Sequence, residues 1–516
     1  MKTLVFSTLT TFIACSLALE PPAGGQNVAN NIPPQRKQQQ QQKDEILFPP
    51  SRPAFVNRTF HSPSVDAYIE ELVPHFIDQD LATIFSNTLP NTLDTTVYRH
   101  IPDEDTFIIT GDITAMWLRD STRQVNPYLR FIQEDVGLSK MFTGLVMRQA
   151  RSVLADSFAN AFQIDDSKEG DHATDTRTPK MTNATFEGKY ELDSLVSFLR
   201  LSSEVYAEQM KKGQVKWLEN AADRKTWGKA ISKTLMTIIL QQKSTDEMEA
   251  QENGPTYTFS RTVDHGSDTT YQQGMGSPSR RTGMSRSEFR PSDDSQMLPY
   301  YIPSNAFAVV ELRKVAKLLV EVGKKFSKEV AIWGKLAESA EQLAEEIDKG
   351  IRDYGIFNSD NENDEFYAFE CDGYGNKHFM DDANIPGLLS LSYMGYVNND
   401  DAVFQETRRR ILSKNKNPYY FVGTAGEGVG GPHCGYNKIW PMAIITRIMS
   451  SNEEAEIVQN LGWLKDSAKR TAFMHESFNV DDVQDFTRDW FAWCNSWFAE
   501  MIMHLIETRP HLILKQ

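Results

Sequence analysis

The sequence predicts an all-α protein whose helices pair and close into a toroid, with long loops forming an active-site pocket at one end. Three observations lead there. From Ser64 onward apolar residues recur mostly at helical spacing, giving about a dozen segments, while period-two runs are few and short. The intervening loops, 250–303, 356–382 and 414–436, are long and polar for their aromatic content. No sequence period repeats, which weakens a plain helical solenoid as the competing arrangement. In a closed ring each inner helix buries a face on its neighbours, and the loops of one end converge on a funnel.

Taken in order, Ser64 precedes VDAYIEELV and Ser139 precedes KMFTGLVMRQARSVL, each an expected N-cap. Helical stretches follow near 188–211 and 226–243, and Ser304-Asn305 opens AFAVVELRKVAKLLVEV. Further stretches lie near 328–349, 383–394, 400–413 and 437–449. Ser451 with Glu454 matches a capping box before AEIVQNLGWL, and the last helix is expected near 487–506.

The chain has 516 residues, 24% charged and 40% hydrophobic, which argues against a disordered, collagen-like or multi-span membrane protein. Its formal net charge of −16 argues against nucleic acid or an anionic membrane surface as partner, since both need a cationic face. Nine Trp and 17 Tyr suit a polar organic ligand. Residues 1–18 read as a secretory signal peptide: Lys2, an apolar core from Leu4 to Leu17, and a small-x-small cleavage pattern at Ser16-Leu17-Ala18. Residues 19–50, with an uninterrupted Gln38–Gln42 run, read as a disordered linker. No second linker follows, so 51–516 is expected to be a single catalytic domain. Secretion without stable membrane insertion fits two glycosylation sequons, at Asn57 and Asn183. Beyond the signal, Cys371, Cys434 and Cys494 allow at most one disulfide, so a large core rather than a cystine framework holds the fold.

Four loops gather residues suited to chemistry. The first, Gly111 to Ser121, places Asp112, Trp117, Arg119 and Asp120 at a helix start, where Trp can stack on a sugar face while Asp and Arg grip hydroxyls; an Arg–Asp pair ordering a helix end is the bland alternative. The second, Phe289-Arg290-Pro291-Ser292-Asp293-Asp294, carries adjacent carboxylates, which in a dry site raise one pKa and create a proton donor; an exposed Asp-Asp turn is its plain counterpart. The third, Gly426 to His433, is Gly-rich but neither a Walker loop nor a dinucleotide fingerprint, and it continues to Trp440 through HCGYNKIW. The fourth, Met474-His475-Glu476-Ser477-Phe478, is not HExxH, because position 479 is Asn. There is no GxSxG elbow, calcium loop or zinc spacing, and no cofactor or metal is expected. Carboxylates flanked by aromatics are the minimum set for glycoside hydrolysis.

At these same segments the chain resembles glycoside hydrolase family 125. The likeness is carried by GDITAMWLRDSTRQVNPYL, FRPSDD with YYIPSNAFAVVEL, FMDDANIPGLLSLSYMG, GPHCGYNKIWPMAIITRIM and MHESFNVDDVQDFTRDWFAWCNSWFAEMI, in that order, from about residue 60 to 510. The resemblance implies an (α/α)6 toroid and an exo-acting, inverting α-1,6-mannosidase that needs no metal. It implies an Asp general acid within RPSDD, either Asp293 or Asp294, and a Glu general base at Glu476. It also implies that Trp117, Arg119 and Asp120 line the terminal sugar subsite, with Arg290, Ser292, Asn305, His433, Trp440 and His475 assisting. The expected partner is a mannose-containing oligosaccharide, bound by a monomer. Another toroid glycosidase or α-glucan phosphorylase, or an inactive secreted sugar-binding protein, are the competing readings. Inversion calls for carboxyls about 6.5–9.5 Å apart, retention for about 5–5.5 Å.

Overall fold

The computed structural model describes residues 48–263, 266–358 and 365–515, within a unit spanning Leu47–Gln516. The expected signal peptide lies outside the described residues, as does the expected linker except for 48–50. Of those three, Phe48 packs on the core and the Pro49 carbonyl accepts a hydrogen bond from Asn87.

Twelve helices of eight residues or more occur among the described residues: α1 (Pro63–Leu72), α2 (Gln79–Thr88), α3 (Leu118–Val125), α4 (Val136–Ala155), α5 (Leu192–Met210), α6 (Ala221–Leu240), α7 (Ile302–Lys325), α8 (Val330–Tyr354), α9 (Ala402–Ile411), α10 (Pro441–Met449), α11 (Glu454–Ser467) and α12 (Ala492–Thr508). From α2 onward outer and inner positions alternate, the inner place between α8 and α9 being filled by the turn Leu388–Ser390. The inner ring closes as α12 on α3, α3 on α5, α5 on α7, α7 on the Leu388–Ser390 turn, that turn on α10, and α10 on α12. Outer elements back them: α2 on α12, α4 on α5, α8 on α7, α9 on Leu388–Ser390 and α11 on α10, while α6 joins α4 to α8. The architecture is the expected all-α toroid of six pairs. No helix among the described residues is long and apolar enough to cross a membrane.

Burial explains which helices go inside. All eight residues of α3 are buried, including Arg119, Asp120 and Arg123. On α8 the buried set Trp333, Ala337, Ala340, Ala344, Ile347 and Ile351 recurs at three- and four-residue spacing and faces α7, while the opposite face is charged. Each large apolar side chain buried this way contributes about 1.5–3 kcal/mol.

One inner position departs from expectation. The predicted helix over 383–394 is only a 3₁₀ turn, Leu388–Ser390. Pro386-Gly387 breaks the helical run, and the Asp381 carboxylate takes the Leu388 and Leu389 amide protons at 2.8 and 3.0 Å. Caps also move. Ser62, not Ser64, caps α1 by accepting from the Val65 amide, and Asp135, not Ser139, caps α4 by accepting from Leu138. Ser451 accepts from the Glu453 amide one step before α11 begins, without a capping box.

The inner helices share a start. Trp117, Glu191, Tyr301, Trp440 and Phe491 are the N-cap residues of α3, α5, α7, α10 and α12, and none donates or accepts a side-chain cap bond. Helix N-termini carry partial positive charge, so this end of the ring favours anionic groups.

Candidate active site

A cavity of about 430 Å³, including its open mouth, sits over the starts of α3, α10 and α12. Trp117, Arg119 and Asp120 reach it from the start of α3, and Trp440, Phe491 and Trp493 from the starts of α10 and α12. Ser292, Asp293, Asn384, His433, Glu476 and Arg488 reach it from the loops. Three of the four sequence clusters thus meet the Asp-Asp cluster in one hollow.

The 290–294 segment is a tight turn: the Asp293 amide donates to the Arg290 carbonyl at 2.9 Å, and the Arg290 amide to the Asp294 carbonyl at 2.8 Å. Asp293 sits at its tip with φ +67°, a left-handed conformation that Asp tolerates better than most residues. Lys189 holds the tip by donating to the Asp293 carbonyl at 2.8 Å. The doublet therefore splits. Asp293 lines the cavity, whereas Asp294 turns away toward Ser292 (3.2 Å), Arg290 (3.7 Å) and His433 (3.7 Å). Burial raises the Asp294 pKa, but the hydrogen bond from His433 and the charge of Arg290 outweigh it and hold it below the usual range.

Arg119 is the hub of the floor. Its guanidinium lies 2.6 Å from Glu191, 3.2 Å from Asp193, 3.2 Å from Asp293 and 3.4 Å from Asp120, and 5.2 Å above the Trp493 ring. One cation thus serves four carboxylates. Burial pushes the Asp120 carboxyl up to about 6 against the pull of Arg119. Burial also works against the His433 imidazolium, yet Asp294, Asp293 and Glu476 raise its pKa to about 9, so it is a cation at neutral pH.

Glu476 is held from two sides. Arg488 Nε donates to it at 3.1 Å and the Cys434 thiol lies 3.6 Å away. Arg488 also clasps Asp112 through Nη1 at 2.5 and 2.6 Å, tying the first loop to the fourth across the mouth. Its φ of +57° shows the clasp overriding backbone preference. Beside it, Gly111 makes room for the Trp490 ring: at φ +130°, a Cβ there would meet that ring at 2.5 Å. The Gly-rich third loop has a similar cause, since a Cβ on Gly430 would lie 2.0 Å from the Lys438 carbonyl.

Several expected sugar contacts lie elsewhere. Arg290 is buried behind the wall, among Asp294, Asp382 and Glu370. Asn305 is buried in the first turn of α7, where its amide closes on Ser285 and the Tyr301 carbonyl. His475 is buried, stacks on Phe486 at 3.7 Å and bonds the Arg488 carbonyl at 2.7 Å, so it positions Arg488 rather than facing the cavity. Asp112 is exposed at the rim. Glu191, Asn384, Arg488, Phe491 and Trp493 were not anticipated; the aromatic density of RDWFAWCN, just after the fourth cluster, is the signal that points to the last three.

Asn57 and Asn183 are both exposed, and the Thr185 hydroxyl of the second sequon is spent on Asp156 at 2.8 Å. Cys371, Cys434 and Cys494 are all unpaired. Among the described residues no group of three or more His, Cys, Asp or Glu is arranged to hold a metal ion.

Comparison with known proteins agrees with this geometry. The family described as metal-independent α-mannosidase (GH125) matches residues 78–503. The Meiotically up-regulated gene 157 protein of Schizosaccharomyces pombe is 40% identical over 486 residues, covering 91% of each chain. A metal-independent α-mannosidase of Streptococcus pneumoniae, solved in a non-productive complex with α-1,6-mannobiose, is 36% identical, with a TM-score of 0.77 over 87% of this chain and all of that one. The chain with its toroid and its acid-rich cavity therefore belongs to glycoside hydrolase family 125, the metal-independent α-mannosidases.

Proposed function

We propose that the enzyme removes terminal, non-reducing α-1,6-linked mannose by single-step displacement, with Asp293 as general acid and Glu476 as general base. The observation that carries this is the convergence of Asp293 and Glu476, from segments far apart in sequence, on one cavity walled by Trp117, Trp440, Phe491 and Trp493. The linkage is supported by the α-1,6-mannobiose complex of the Streptococcus pneumoniae relative.

In the reaction a proton passes from Asp293 to the glycosidic oxygen as the C1–O bond breaks. A water attacks C1 from the opposite face and gives its proton to Glu476. Arg488 holds that carboxylate in place. Arg119 and Asp120 supply charged hydrogen bonds to the terminal sugar, of the kind that outweigh neutral ones, and the indole and phenyl walls supply stacking surface. The cationic His433 balances the carboxylates around it.

The test is to follow hydrolysis of α-1,6-, α-1,2- and α-1,3-linked mannobiose by NMR. The α-1,6 isomer is expected to be cleaved fastest, with β-mannose as the first anomer released. α-Mannose appearing first overturns inversion, and a preference for another linkage overturns the substrate assignment. We also propose export, which rests on the amino-terminal sequence and the exposed Asn57; endoglycosidase treatment of secreted protein is expected to lower its apparent mass, and protein retained without glycan refutes it.

A further inference from the structure

We propose that Glu191, a buried acid with no access to substrate, is the proton store of the reaction, handing to Asp293 the proton that Asp293 delivers to the leaving group. This rests on Asp293 being the general acid. Acting only through Asp293, Glu191 is a positioning residue.

The geometry is a relay. Glu191 is fully buried as the N-cap residue of α5, while the Asp293 side chain retains 29% exposure to the cavity. The two carboxyls act directly on each other's titration, and a hydrogen bond between two carboxyls needs a proton on one of them. They also share one guanidinium, with Arg119 Nη1 on Glu191 at 2.6 Å and Nη2 on Asp293 at 3.2 Å. The other contacts fix Glu191 in position: Ser194 Oγ donates to its Oε2 at 2.7 Å and Asn160 Nδ2 to its Oε1 at 3.0 Å. Asp193 adds a further acid on Arg119, and Lys189 binds the Asp293 carbonyl.

The electrostatics favour such a store. Burial raises the Asp293 pKa, but Arg119, the bond with Glu191, Lys189 and His433 together hold it well below the usual carboxylate range. An acid so placed is ionised in the resting enzyme and has no proton of its own to give. Burial, Asp293 and Asp193 push Glu191 the other way against Arg119. Two coupled carboxyls titrate as a pair, and here the pair's proton rests on the inner member. In turnover the Glu191 proton moves to Asp293 as Asp293 protonates the glycosidic oxygen. The pair ends one proton short and Glu476 one proton richer, and exchange with solvent restores both.

The experiment compares α-1,6-mannobiose with dinitrophenyl α-mannoside, whose leaving group departs without protonation. Glu191→Gln is expected to lose roughly 10²-fold in kcat on the disaccharide and about fivefold or less on the activated substrate, with KM little changed. The basic limb of its pH profile moves to lower pH by about one unit or more, because Asp293 is left alone among its cations. Ser194→Ala moves the limb the opposite way, since it removes a donor that stabilises ionised Glu191; this milder change keeps the test available where Glu191→Gln does not fold. Asp293→Asn is the control. If it shows the leaving-group selectivity and Glu191→Gln does not, the proton store is refuted while the general acid stands. If Asp293→Asn shows none, the acid assignment falls and the store with it. Limbs that stay put in both Glu191→Gln and Ser194→Ala also overturn the proposal.

Discussion

Replacing Arg119 by methionine keeps an unbranched apolar stem and removes the guanidinium that Asp120, Glu191, Asp193 and Asp293 share at 2.6 to 3.4 Å. With an effective dielectric of about 20, each such contact is a gross attraction of about 5 kcal/mol, most of it cancelled by desolvating both partners. Leaving buried carboxylates without their cation costs a net of about 3–5 kcal/mol. For a folded unit of about 470 residues, an unfolding entropy of about 2.1 cal/mol/K per residue gives about 1 kcal/mol/K, so Tm is expected to fall by roughly 3–5 °C at pH 7. The sign of the pH dependence follows from which state holds more protons. Without Arg119 the folded-state pKa values of all four acids rise, so the folded variant holds more protons relative to its unfolded chain than wild type does, and its stability falls more steeply as pH rises. The deficit against wild type is therefore greatest at pH 7–8 and shrinks as pH falls toward about 5. Thermal melts of both proteins from pH 5 to 8 check this. A variant within about 1 °C of wild type at pH 7–8, or a deficit that widens on acidification, refutes the charge-hub account.

Three further outcomes are expected. Glu476→Gln loses about 10²–10⁴ in kcat on either leaving group while still binding mannobiose, as equilibrium binding reads directly; wild-type turnover removes Glu476 as base. Asp112→Ala, at an exposed rim position, removes the partner of Arg488 Nη1; kcat/KM falls about tenfold while Tm moves by less than about 1 °C, and unchanged kinetics refute the clasp. The His433 pKa is raised from 6.5 to about 9 by its carboxylate neighbours, so its contribution to stability is complete below about pH 6.5 and is lost as pH climbs through about 9. Wild type therefore sheds stability over that window that His433→Gln lacks to begin with, and melts that stay parallel across it refute the assignment.

Much of the site is legible in sequence because its residues are of unusual type for where they fall. A Trp, an Arg and an Asp packed into the start of α3 are poorly explained by a solvated helix face, and all three reach the cavity. Glu191 left no such mark: in YELDSLV it reads as the polar side of an amphipathic helix, and only the ring reveals that this side faces the axis. Asn305 and His475 failed in the opposite direction. Their types suit sugar binding, but one amide is consumed by Ser285 and the other ring by Phe486 and the Arg488 carbonyl, pairings set by residues more than ten positions away in sequence. In 383–394 the apolar spacing suggested a helix although Pro386-Gly387 already argued against it, and the local break prevailed.

The starts of the inner helices have a consequence beyond catalysis. The groups proposed to hold the terminal sugar hang from positions dictated by ring closure, so a change at one of them is transmitted around the whole circle. The connections above that floor carry less of that obligation, and the part of the 250–303 stretch that precedes Ser285 can change length without moving the 290–294 turn or the start of α7. The floor and the rim can thus change independently, the one tied to the ring and the other to its connections.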